Sequence, residues 1–123
     1  MASVLLIEDN EMNSELVKFL LEAEGHRCTA AENGIDGVEL AKSNSFDVIL
    51  LDIQLPKIDG YGVLRLLKEA VPSMPVIAVS SYAMVGDCER AMQAGFDGYI
   101  SKPIKAKTFV KQVMTLAGLD TGT

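Results

Sequence analysis

The sequence predicts an α/β domain: a parallel sheet with helices on both faces. Three observations predict it. Short apolar runs recur along the chain, each is followed by a longer stretch with helical spacing, and this strand-then-helix unit repeats five times with no linker or low-complexity tract. Such alternation implies a parallel sheet, because a strand returning parallel to its neighbour needs a crossover, and a helix supplies one. The 123 residues, 49% of them hydrophobic, fit one domain with a substantial core.

Val4–Ile7 is wholly apolar and reads as a strand buried on both faces. Glu11–Glu24 carries Met12, Leu16, Phe19, Leu20 and Ala23 at three- and four-residue steps, which predicts a helix with these residues inward and Gly25 at its C-terminal end. Arg27–Ala31 is a weaker strand, and Gly34–Ser43 a second helix facing inward through Val38, Leu40 and Ala41. Asp47–Leu51 is the next strong strand. A loop over Asp52–Asp59, marked by Pro56 and Asp59-Gly60, leads to a helix over Tyr61–Ala70 with Val63, Leu64 and Leu67 inward. Beyond Pro72 and Pro75, Val76–Val79 is a strand and Met84–Ala94 a helix ending at Gly95. Gly98–Ile100 is a short strand and Lys107–Ala117 the last helix. The domain spans residues 1–118, and 119–123 read as a tail.

Composition narrows the function. With 11 basic against 17 acidic residues, the net charge of -6 repels nucleic acid and anionic membrane, so neither is expected as a partner. No apolar run approaches the ~20 residues of a membrane helix. The N-terminus lacks the basic segment of a signal peptide, so a cytoplasmic location is expected. Cys28 and Cys88 form no CxxC and read as reduced thiols. Met12, Met84 and Met92 read as core or interface packing. The stretch Asp9–Ser14 resembles the start of a calcium loop, but Leu20 stands where the bidentate glutamate belongs. Gly60-Tyr61-Gly62 lacks the third glycine of a dinucleotide site.

In open α/β sheets, sites form beyond the carboxyl ends of the strands. Those ends carry Glu8 and Asp9, Asp52, Ser80 with Ser81, and Lys102. Gathering three carboxylates costs energy, since two unit charges ~4 Å apart repel by ~4 kcal/mol at an effective dielectric near 20. A hard divalent cation relieves that repulsion, and Mg²⁺, which takes oxygen ligands and often completes its shell with phosphate, suits it. Asp9 and Asp52 are expected as direct ligands, with the Gln54 backbone carbonyl a third and Glu8 acting mainly through water. Lys102, a point charge on a long stem, and the Ser80 hydroxyl would complete a phosphoryl-binding set with the metal. Asp52 is the candidate acceptor, since a carboxylate can form an aspartyl phosphate. Plainer readings stand beside these: Asp9 as a helix N-cap, Lys102 as a solvated charge, Ser80 as a strand end and Tyr99 as a half-buried aromatic.

Glu8-Asp9-Asn10 after the first strand, Asp52 after the third, Ser80 after the fourth and Lys102-Pro103 after the fifth resemble the response-regulator receiver domain, CheY-like, across essentially the whole chain. Asp52-Ile53-Gln54-Leu55-Pro56 with Gly60, and Gly98-Tyr99-Ile100-Ser101-Lys102-Pro103, resemble most the DivK-type single-domain regulators and hybrid-kinase receivers. The resemblance implies a flavodoxin-like (βα)5 fold with strand order 2-1-3-4-5. It implies a phosphorelay switch that takes a phosphoryl group on Asp52 from a histidine kinase or histidine phosphotransfer protein. It implies that Ser80 moves toward the phosphoryl group, that Tyr99 turns inward with it, and that Lys102-Pro103 is cis. The downstream protein partner would bind the last two helices and fifth strand. The phosphodonor bundle would touch Met12, Asn13, Pro103 and Ile104.

Two residues depart from the family pattern. Ser80 replaces the commoner Thr and loses its stiffening methyl, and Ser81 replaces Ala or Gly. Gln54 and Tyr82 occupy the positions that tune water access, and a bulky Tyr82 is expected to slow loss of phosphate. Two rivals remain. One is a phosphorylation-independent binding module of the same fold. The other is a hydrolase with an aspartyl-phosphate intermediate, which would carry a second Asp where Gln54 stands.

Overall fold

The computed structural model describes residues 1–55, 59–81 and 86–119. In chain order these form β1 (Ser3–Ile7), α1 (Glu11–Ala23), β2 (Arg27–Ala31), α2 (Gly34–Ser43), β3 (Val48–Asp52), α3 (Gly60–Ala70), β4 (Val76–Ser80), α4 (Asp87–Ala94), β5 (Gly98–Ser101) and α5 (Phe109–Leu116). The strands make one sheet in the order β2-β1-β3-β4-β5, and all four pairings are parallel. This is the flavodoxin-like arrangement the resemblance implies.

The apolar runs become the interior strands because both faces of the sheet are covered. Side chains alternate between two core layers. Leu5, Ile7, Ile49, Leu51, Val76 and Ala78 pack with Val38, Ala41, Val63, Leu64, Leu67 and Ala91 of α2, α3 and α4. Val4, Leu6, Val48, Leu50, Ile77 and Val79 pack with Val17 and Leu21 of α1 and with Phe109, Val110, Val113 and Met114 of α5. An edge-on contact between the Tyr61 and Phe96 rings, centroids 5.9 Å apart, borders the first layer.

Several expectations are corrected. Helix α1 buries Val17 and Leu21, with Leu20 half-buried, whereas Met12, Leu16 and Phe19 are exposed, Met12 at 80% and Phe19 at 68%, and Ala23 faces solvent too. The helix carries two apolar stripes. Packing selects the Val17–Leu21 stripe, which joins Leu6, Val110 and Val113 in the second layer, and the Asn10 side chain caps the helix by accepting the Asn13 N–H at 3.0 Å. Asp9 is therefore not the cap. Met92 is also exposed, so neither it nor Met12 belongs to the core, and Met84 lies outside the described residues.

Asp47 precedes β3 rather than opening it. Its carboxylate accepts the Ser3 N–H at 2.7 Å from an exposed position. Asp52, expected in the loop, is instead the last residue of β3. Helix α4 starts at Asp87, after Gly86 at φ +99, a left-handed conformation that interrupts a helix. Helix α5 starts at Phe109 because residues 106–108 form a turn, with the Thr108 N–H donating to the Lys105 carbonyl. Leu119 packs against the second core layer and donates its N–H to Met114 O at 2.8 Å.

Candidate functional site

Parallel strands end on one side of the sheet, and that geometry gathers the polar residues. Glu8 follows β1 directly, Asp52 ends β3, Ser80 ends β4 and Lys102 follows β5. Asp52 pairs in register with Val79, and Ser80 with Ser101. The Lys102 N–H donates to Ser80 O at 2.7 Å, locking the fifth-strand exit beside the fourth.

Glu8, Asp52 and Ser80 are the buried polar residues among those described, while Asp9 is exposed. One carboxylate oxygen from each of Glu8, Asp9 and Asp52 lies within 4.8 Å of the others. Lys102 Nζ donates to Glu8 Oε1 at 2.9 Å and to Asp52 Oδ2 at 3.3 Å. The Gln54 N–H donates to Asp52 Oδ1 at 2.9 Å, and the Asn10 N–H reaches Glu8 Oε2 at 3.4 Å. Three carboxylates thus share one ammonium. Burial, with Asp52 alongside, pushes the Glu8 carboxyl up from 4.5 to about 7, although Lys102 pulls the other way. Burial alone would lower the Lys102 ammonium, but Glu8 and Asp52 outweigh it and raise it. An all-oxygen donor set with excess negative charge fits a hard divalent cation such as Mg²⁺.

Tyr99 is half-buried on β5, packs against the first core layer and lines a groove of about 350 Å³ with Lys111, Gln112 and Leu116 of α5. The Lys102–Pro103 peptide bond is cis. Ser81 and Gln54 are exposed at the rim, and the Ser81 N–H donates to Gln54 Oε1 at 3.1 Å. Tyr82 lies outside the described residues. The sequence gives Gln54 a ligand role through its backbone carbonyl and, by the resemblance, a place among the residues that tune water access, but no sign of this side-chain contact, which spans 27 residues.

An acid cluster with one lysine at the carboxyl edge of a 2-1-3-4-5 sheet defines a receiver domain, and the chain belongs to the response regulator receiver domain family, which it matches over residues 4–114. Within that family it is DivK-like. It is 42% identical over 118 residues to the polar-differentiation response regulator DivK of Brucella anthropi, covering 94% of this chain and 96% of the relative. Solved structures agree. The receiver domain of a Pseudomonas aeruginosa sensor histidine kinase, with a magnesium ion in its active-site cleft, superposes with a TM-score of 0.85 at 34% identity over 95% of this chain and 98% of that one. The receiver domain of a Francisella response regulator gives 0.88 at 26% identity over 96% and 98%. No helix among the described residues is long and apolar enough to cross a membrane.

Proposed function

We propose that this receiver accepts a phosphoryl group on Asp52 from a phosphohistidine of a histidine kinase or phosphotransfer protein, and passes the signal on by protein binding. One observation carries the reading: buried Asp52 sits within 4.8 Å of two further carboxylates and 3.3 Å from the Lys102 ammonium. A packing role gains nothing from that repulsion.

Asp52 attacks phosphorus through a carboxylate oxygen. The P–O bond forms as the P–N bond breaks, and the imidazole nitrogen leaves with the electron pair and takes up a proton. Glu8, Asp9, Asp52 and the Gln54 carbonyl would hold Mg²⁺, which offsets charge on the carboxylates and on the phosphoryl oxygens when bound. Lys102 transfers its hydrogen bonds from the carboxylates to a phosphoryl oxygen. Ser80 donates its hydroxyl to another, and Tyr99 follows Ser80 inward, re-forming the face made by α4, β5 and α5.

The exposure of Met12 and the half-burial of Ile104 support docking of the donor at the start of α1 and the Pro103–Ile104 turn. Acetyl phosphate with Mg²⁺ should label the wild-type protein and fail to label Asp52→Asn. Equal labelling of the two defeats the proposal. Tyr99→Ala should keep the label and lose partner binding.

A further inference from the structure

Gln54 is tied to the site twice. Its backbone N–H donates to Asp52 Oδ1 at 2.9 Å, and its side-chain Oε1 accepts the Ser81 N–H at 3.1 Å. A backbone N–H can only donate, so the carboxamide oxygen must be the atom facing it. One residue therefore links the Asp52 carboxylate to the backbone immediately beyond Ser80. Strand pairing does not require this link, because the β3–β4 register ends at Asp52 and Val79. Burial does not hold it either, since Gln54 and Ser81 are both exposed.

We propose that Gln54 is a positioning residue whose carboxamide latches the Ser80–Ser81 strand end in its unphosphorylated place. The inference rests on Asp52 being the phosphoacceptor and on Ser80 moving toward the group it carries. The Ser81 N–H belongs to the peptide that follows Ser80, and on this proposal its bond to Gln54 Oε1 is given up when Ser80 moves. A group bound on Asp52 must then offset the lost hydrogen bond, and its apparent affinity falls accordingly. The bond is neutral and water-exposed, which puts the effect at roughly two- to fivefold.

Gln54→Met keeps the length and backbone of the residue and removes the carboxamide acceptor. The probe is beryllofluoride with Mg²⁺, titrated by NMR against the full chain. It mimics a phosphoryl group without hydrolysing, so access of water to an aspartyl phosphate does not enter the result. The variant should bind it roughly two- to fivefold more tightly than wild type. Without the probe, its Ser81 amide should exchange faster with solvent. Equal affinity, or unchanged Ser81 exchange, overturns the latch and leaves the phosphoacceptor reading standing. A shifted melting temperature with equal affinity makes Gln54 merely structural and overturns it too. Failure of beryllofluoride to bind wild type at all overturns the phosphoacceptor reading, and the latch with it.

Discussion

The Lys102 ammonium lies closer to Glu8 than to the proposed acceptor: it donates to Glu8 Oε1 at 2.9 Å, across 94 residues of sequence. Glu8 is 4% exposed, and this pair fixes its place at the mouth of the sheet. One ammonium cannot offset three carboxylates, and the surplus charge has measurable consequences.

The first is a pH dependence. Folded Glu8 holds its proton up to about 7, against 4.5 for the unperturbed group. A carboxyl raised on folding favours the folded state while it is protonated. Its contribution is fully present below 4.5, declines through the window, and is gone above about 7. The unfolding free energy of the protein in chelator, from urea titrations, should therefore fall between about pH 4.5 and 7, by at most about 1.4 kcal/mol per pH unit from this group, and level off above that. Glu8→Gln should flatten that slope. An unchanged slope would mean that Glu8 is ionised throughout.

The second concerns the metal. In chelator, Asp9→Ala should be as stable as wild type or more so, because it removes a repelling charge and no hydrogen bond that holds the fold. Added Mg²⁺ should raise the melting temperature of wild type. The variant should need roughly ten- to a hundredfold more Mg²⁺ for the same rise. A clear loss of melting temperature in chelator would count against a cluster of mutually repelling acids.

The third tests the phase of α1. Leu21 is fully buried, so Leu21→Ala should cost about 2–4 kcal/mol in denaturant unfolding. Phe19 is 68% exposed, and Phe19→Ala should change stability by no more than about 0.5 kcal/mol. The reverse ranking would restore the stripe that periodicity favoured.

The fourth concerns Gly60. A Cβ there would lie 2.5 Å from Ile53 Cα and 3.0 Å from Asp52 O, both backbone atoms that cannot swing aside. Gly60→Ala should cost about 2 kcal/mol. It should also slow labelling by acetyl phosphate, because the displaced backbone carries Asp52, the proposed acceptor. Wild-type stability and labelling would show that the close approach is relieved elsewhere.

The strand ends were legible because parallel topology leaves little choice. Once five apolar runs alternate with helices, residues following each run must share one edge, and Asp52 and Lys102 meet there although 50 residues separate them. The phase of α1 was not legible. Met12-Leu16-Phe19 and Val17-Leu21 satisfy the same spacing, and packing against the sheet chooses between them. Asp47 was drawn into β3 because an apolar run does not reveal which flanking residue leaves the ladder. The Gln54–Ser81 contact was invisible for a different reason: a carboxamide at the rim carries no periodic or compositional mark.

Because successive β1 side chains feed opposite core layers, the strand works as a ruler with a fixed count. Deleting one of its residues would exchange Leu5 and Ile7 for the partners of Val4 and Leu6, and would withdraw Glu8 and Asp9 from the mouth by roughly 3.3 Å. Packing and chemistry would fail together. A change of length is therefore expected to be tolerated in the connections, whereas the strands that feed the site should accept replacement of letters but not a change in their number.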